Sequence, residues 1–224
     1  DSNRPGELPC PDIDNDGQPE VIGTNYLYSL VIIDGATGTL EKRANPENER
    51  VWPSVVVADL DGNGSQEIIT ANYGGFIYVF DQGGAHLAWS RQPIQSEIRG
   101  LSVYDLDADG TLEIVATAAN HSRTSTWIYE HDGAVRAGWP QLDNDSGYAW
   151  GVYNDNVALG EMDNDGMGEI VVPTDMHYIQ AYEADGRQIP ANPIYGNVGW
   201  GAVVVWESIS AELRGWGSCN GLRA

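Results

Sequence analysis

The chain has 224 residues, is 42% hydrophobic and carries a formal charge of −22, with 33 acidic residues against 11 lysines and arginines. That apolar content excludes a disordered chain, the negative field disfavours nucleic acid and anionic membranes as partners, and no apolar run approaches the roughly 18 residues of a membrane span. The length suits one β domain over residues 1–224.

Taken in chain order, one acidic pattern returns four times without a gap. It begins at Asp12 with Asp14, Asp16, Gln18 and Glu20, and returns at Asp59 with Asp61, Asn63, Ser65 and Glu67. The third copy has Asp105, Asp107, Asp109, Thr111 and Glu113; the fourth has Glu161, Asp163, Asp165, Met167 and Glu169. The starts lie 47, 46 and 56 residues apart, in the range of propeller blades. β-rich runs flank the loops. Val55-Val56-Val57, Leu101-Ser102-Val103 and Val157-Ala158-Leu159 precede the last three. Val21-Ile22, Ile68-Ile69, Ile114-Val115 and Ile170-Val171 follow the four in turn. A third run then leads to a Gly-containing turn and a weaker fourth strand, in which Trp89 and Trp139 fall in two copies. Short strands at even spacing, with no helical period, predict an all-β fold with four antiparallel strands per repeat, a β-propeller.

Each loop offers side chains at positions one, three, five and nine, a backbone carbonyl at seven, and a glycine at six for the sharp turn. Such oxygen-rich loops suit calcium, which takes six to eight oxygens, better than magnesium, which dehydrates reluctantly. The EF-hand begins alike but needs Glu at position twelve between helices. Position twelve here is Gly23, Thr70, Ala116 or Val172, and the flanks read as strands. Up to four Ca²⁺ are expected, which would bring the charge from −22 to −14. The first and third loops carry the fullest set; the second has Asn63 at position five and the fourth has Glu161 at position one.

The pattern, over about residues 12–206, resembles the FG-GAP/VCBS repeat of β-propellers such as the integrin α-subunit head. It departs from the D-x-D-x-D-G-x-x-D form in having Glu at position nine in every copy. The resemblance implies metal loops on one face, between the first and second strands of each blade, and an extracellular or cell-surface setting with adhesion or carbohydrate recognition.

The first loop has no strand before it, while Val203-Val204-Val205 after Trp200 matches Val55-Val56-Val57 after Trp52. A strand at about 203–206 is therefore expected to complete the first of four blades, with a Cys10–Cys219 disulfide at the seam; the rivals are a larger propeller of which this chain is part, and addition to a second copy, giving an oligomer or filament. The face opposite the acidic loops gathers Trp52, Tyr73, His121, Tyr148, Trp150, Tyr153, His177 and Trp200 as candidate ligand contacts, several of them around the long connection at 142–156. Aromatic platforms beside Asn and Asp suit a glycan or a partner protein. No catalytic residue is assigned, because the four histidines share no repeat position and no nucleophile motif occurs. The expected function is a secreted binding module. A structural subunit of an extracellular assembly and a polysaccharide lyase or hydrolase domain are the alternatives.

Overall fold

A computed structural model describes residues 11–14, 16–25, 29–44, 49–51, 55–91, 97–119, 124–141, 157–173, 178–189 and 194–195. Every regular element among them is a β-strand, and no helix is long and apolar enough to cross a membrane. The first sheet holds β1 (Glu20–Asn25), β2 (Ser29–Asp34) and β3 (Leu40–Ala44). The second holds β4 (Val56–Ala58), β5 (Glu67–Ala71), β6 (Ile77–Phe80) and β7 (His86–Arg91). β8 (Ile98–Tyr104), β9 (Glu113–Ala118) and β10 (Thr126–Tyr129) form the third. β11 (Ala158–Gly160), β12 (Glu169–Pro173), β13 (Tyr178–Tyr182) and β14 (Ile194–Tyr195) form the fourth. In each sheet neighbours in sequence pair antiparallel. This is the all-β, propeller-type fold expected from the repeat.

Burial explains why these segments became strands. β5 and β9 are buried at every residue, because they lie in the middle of a sheet with other sheets on its faces. A strand covered on both sides needs apolar residues at consecutive positions, as in Ile68-Ile69 and Ile114-Val115-Ala116. β3, by contrast, is exposed at four of its five positions and reads Leu-Glu-Lys-Arg-Ala. Three apolar clusters bind successive sheets. Ile13, Leu30 and Ile32 meet Ile68, Tyr78 and Phe80; Ile69, Ile77 and Val79 meet Leu101, Ile114 and Tyr129; Val115 and Ile128 meet Ile170, Val172 and Tyr182. Each fully buried aliphatic side chain here stabilises by about 1.5–3 kcal/mol.

The turn after the third strand is the same in three sheets. The N–H of Gly84 donates to the carbonyl of Asp81 (2.8 Å), that of Gly133 to Glu130 (2.8 Å) and that of Gly186 to Glu183 (2.9 Å). The first sheet uses a turn one residue longer, with the Gly38 N–H donating to Asp34 (2.8 Å). Trp139 departs from its expected place in a fourth strand. The third sheet continues past β10 only through isolated bridges from Tyr129 to Val135 and from Thr126 to Gln141. Gly138, at φ +89°, turns the chain, and Pro140 has no N–H to extend a ladder. The indole instead packs edge-on to Tyr182, with ring centroids 5.6 Å apart, and its Nε1–H donates to the Ala184 carbonyl at 3.0 Å. The predicted closing strand at about 203–206 and the Cys10–Cys219 pair lie outside the described residues.

Candidate metal centres

The second, third and fourth acidic loops join the first and second strands of their sheets, and the ninth residue of every loop opens the strand that follows it: Glu20, Glu67, Glu113 and Glu169 begin β1, β5, β9 and β12. Local hydrogen bonds wind the loop. The glycine N–H at position six donates to the carboxylate at position one: Gly17 to Asp12 (2.9 Å), Gly64 to Asp59 (2.8 Å), Gly110 to Asp105 (3.1 Å) and Gly166 to Glu161 (2.7 Å). The N–H at position seven donates to the side-chain oxygen at position five, as Gln18 to Asp16 and Ser65 to Asn63, both 2.7 Å, and Met167 to Asp165 at 2.8 Å. Glu161 takes the work of an Asp despite its extra methylene. It accepts from Asp163 and Asn164 N–H groups as well, and these backbone bonds, Gly166's first, hold its carboxyl below the usual range.

Position four is left-handed in the last three loops: Gly62 at φ 70°, Ala108 at 57° and Asn164 at 66°. Glycine and asparagine tolerate this region, but an alanine there costs roughly 1 kcal/mol. Ala108→Gly is therefore expected to raise stability by up to about 1 kcal/mol, read as a higher urea midpoint at unchanged m. A lower midpoint would show that the strain is not there.

The ninth residue explains the departure toward glutamate. One oxygen of each Glu reaches back across the loop to the N–H at position two: Glu20 to Ile13 (2.6 Å), Glu67 to Leu60 (2.9 Å), Glu113 to Leu106 (2.7 Å), and Glu169 to Met162. That leaves the other oxygen for the loop interior. Oxygens of Asp12, Asp14, Asp16 and Glu20 lie within 4.8 Å of one another, as do those of Glu161, Asp163, Asp165 and Glu169. The same holds for Asp59, Asp61 and Glu67, and for Asp105, Asp107 and Glu113. Asp109 stays out of the third cluster; the Thr111 hydroxyl and N–H donate to it (2.7 and 2.8 Å) and lower its carboxyl.

These residues fit a cation on a direct test. Asp12 Oδ1, Glu20 Oε1, Asp107 Oδ1, Glu113 Oε1 and Glu169 Oε1 are buried without a hydrogen-bond partner. A buried carboxylate oxygen in that state is costly, and a proton or a cation would relieve it, although Glu113 Oε1 already has the Arg136 guanidinium 3.6 Å away. Burial is the largest cause that raises all four position-nine carboxyls, and Glu113 and Glu169 are pushed up to about 7. A bound cation would supply the missing partner with the carboxylates ionised. Neighbouring loops are also tied together: the Leu112 N–H donates to the Leu60 carbonyl and the Gly168 N–H to the Leu106 carbonyl, both at 2.8 Å.

Of the opposite face, only Tyr73 among the candidate ligand contacts is described. It is 45% exposed on the β5–β6 connection, its N–H donates to the Arg50 carbonyl (2.8 Å), and the Arg50 guanidinium carbon sits 5.4 Å from its ring centre. Trp52, His121, Tyr148, Trp150, Tyr153, His177 and Trp200 lie outside the described residues. Sequence reading missed Arg136, whose guanidinium reaches the third loop. No signal within that loop announces it.

Comparison with known proteins agrees with this geometry. Residues 12–70, which hold the first acidic loop and the second through β5, match the FG-GAP-like repeat. No curated protein matches. Among solved structures, the crystal structure of BBS1N in complex with ARL6DN, soaked with lead, superposes with a TM-score of 0.55 at 13% identity, covering 84% of this chain and 54% of that one. The chain thus spans about half the length of that neighbour, and the likeness is one of fold. The fold is that of a β-propeller, residues 12–70 are similar to an FG-GAP-like repeat, and the four acidic clusters could hold metal ions.

Proposed function

We propose that this protein is an extracellular, calcium-stabilised binding or adhesion module, which takes a glycan or a protein on the end of the sheets opposite the acidic loops. The observation that carries the calcium reading is the set of buried, partnerless carboxylate oxygens at the centre of the loops. All-oxygen donors in irregular loops suit calcium's flexible coordination better than magnesium's strict octahedron, and extracellular modules work at the high calcium levels outside cells. FG-GAP repeats typically belong to extracellular proteins, which supports the location. Tyr73 supports the face. Its connection leaves the sheet at the end opposite the acidic loop, and Asn72 beneath it is fully buried and accepts from the Phe76 N–H at 3.0 Å. An exposed ring on a fixed base, beside Arg50, is the kind of platform that sugar rings and protein side chains stack on. No catalytic role is proposed.

The test is glycan-array and surface-protein binding of the calcium-loaded protein, repeated with Tyr73→Ala. Affinity should fall about tenfold, the effect of losing one stacked ring, while the melting temperature holds. Binding that ignores Tyr73→Ala would move the site off this end, and release of reducing-end or unsaturated products would favour the enzyme.

One observation favours a second reading, assembly by strand exchange. β5, β9 and β12 each pair with a preceding strand, whereas β1, their counterpart, has none among the described residues. A strand such as 203–206, from the same chain or from a second copy, would cover that edge. A monomeric mass in solution would exclude the exchange.

A further inference from the structure

The turns after the third strand allow the four repeats to be compared position by position. The bridges Tyr129 to Val135, Phe80 to His86, Tyr182 to Gln188 and Ile33 to Leu40 occupy the same step of the ladder. The next residue is Arg136 in the third repeat, Leu87 in the second, Ile189 in the fourth and Glu41 in the first. One register position thus carries a cation, two aliphatic residues and a carboxylate.

Arg136 is held from two sheets. Its Nε–H donates to the Ala184 carbonyl of the fourth sheet at 3.2 Å, and its Nη1 lies 3.2 Å from both oxygens of Glu130. From there Nη2–H donates to Asp107 Oδ2 at 2.9 Å, and Nη1 stands 3.6 Å from Glu113 Oε1. Both are members of the third acidic cluster. The arginine side chain is 11% exposed, so solvent screens these contacts weakly. Among the described residues no other cation pairs with a carboxylate of an acidic loop.

We infer that Arg136 ranks the metal sites: the third loop carries its own counter-charge and is the last of the four to take calcium. This rests on the calcium reading above. An ion entering the third cluster meets Asp107 with one oxygen already engaged, and must sit close to a fixed positive charge. A divalent ion and a guanidinium about 5 Å apart repel enough, even at the dielectric of water, to weaken binding by more than about tenfold. Among the described residues no salt bridge reaches a carboxylate of the first, second or fourth loop, although Lys42 lines one pocket with Asp14. The protein therefore reaches its folded, three-ion form while the third loop is balanced by Arg136.

Calcium titration of the full chain, followed by calorimetry and by native mass spectrometry, tests this. The wild type should bind three ions tightly and a fourth at least about tenfold more weakly. Arg136→Gln should bring the fourth site level with the others. Because that change also removes the tie to Ala184, Asp105→Asn and Asp59→Asn in the wild-type background give a second route. The first should delete the weak phase and leave three tight ions; the second should delete a tight one. Four equivalent sites in the wild type, or loss of a tight ion with Asp105→Asn, would overturn the ranking. Binding at none of the loops would overturn the calcium reading itself, a distinguishable result.

Discussion

Withdrawing calcium at constant magnesium is expected to lower the melting temperature by more than about 10 °C. A ligand that binds only the folded state stabilises it by about 4 kcal/mol per site at a thousandfold excess over Kd. Three tight sites would then supply more than the whole stability of many domains. At roughly 2–4 °C per kcal/mol for a chain of this size, even partial coupling exceeds 10 °C. The pH dependence gives a second readout. In the metal-free protein Glu113 and Glu169 titrate near 7, against an ordinary value of 4.5. Their folded-state pKa is raised, so their contribution is fully present below the unfolded value and is lost as pH climbs from about 4.5 to about 7. With calcium the slope should reverse, because a bound ion would need the deprotonated carboxylates. Urea midpoints of the two forms should therefore diverge across that window. A melting temperature indifferent to calcium, or shifted equally by magnesium, would leave the loops as acidic turns.

Gly138→Ala should be the most damaging small substitution in the described residues, costing about 3 kcal/mol or more, read as a fall in the urea midpoint. Its φ of +89° alone disfavours alanine. A collision does more harm: a Cβ at Gly138 would stand 1.8 Å from the Asp185 carbonyl oxygen and 2.7 Å from its carbon. Backbone cannot rotate away as a side chain can. The contact is reciprocal, since a Cβ on Gly186 would meet the Gly138 carbonyl oxygen at 2.5 Å. Gly38→Ala supplies the control, with a similar φ of +72° and nothing within 4 Å of the added carbon. It should cost about 1 kcal/mol, from the left-handed backbone alone. Equal costs for the two would mean that the third and fourth sheets part easily at this junction.

The acidic loops were legible in the sequence because metal-type loops are local: spacing over nine residues encodes one oxygen cage, and four copies in register rule out chance. The strands beside them followed from β-branched runs that the sheet interiors demand, as at Ile68 and Ile114. What one repeat does to another was not legible. Asp109 fits its loop pattern, yet the Thr111 hydroxyl draws it aside. Arg136 lies 31 residues beyond the start of its loop, on a segment that reads as an ordinary turn, and only packing against the fourth sheet aims it at Asp107. Trp139 reads as strand because aromatic residues favour strands. The Gly138 and Pro140 on either side are the better signal. The doubled task of the position-nine glutamates, one oxygen for the backbone and one for the cage, needed coordinates as well.

The hydrogen bonds between loops have a direction. Each runs from the eighth residue of one loop to the second residue of the loop before it, as from Leu112 to Leu60 and from Gly168 to Leu106. The eighth residue of the first loop is Pro19, which has no N–H to give. Its carbonyl turns inward and accepts from Gly35 of its own repeat at 3.0 Å. The later loops are therefore laid like overlapping shingles, the third lapping the second and the fourth the third, and the first loop has no N–H at the lapping position. Repeats of one family are interchangeable in outline, but this proline gives the series a beginning, and the first repeat could not be exchanged for the third without breaking the order.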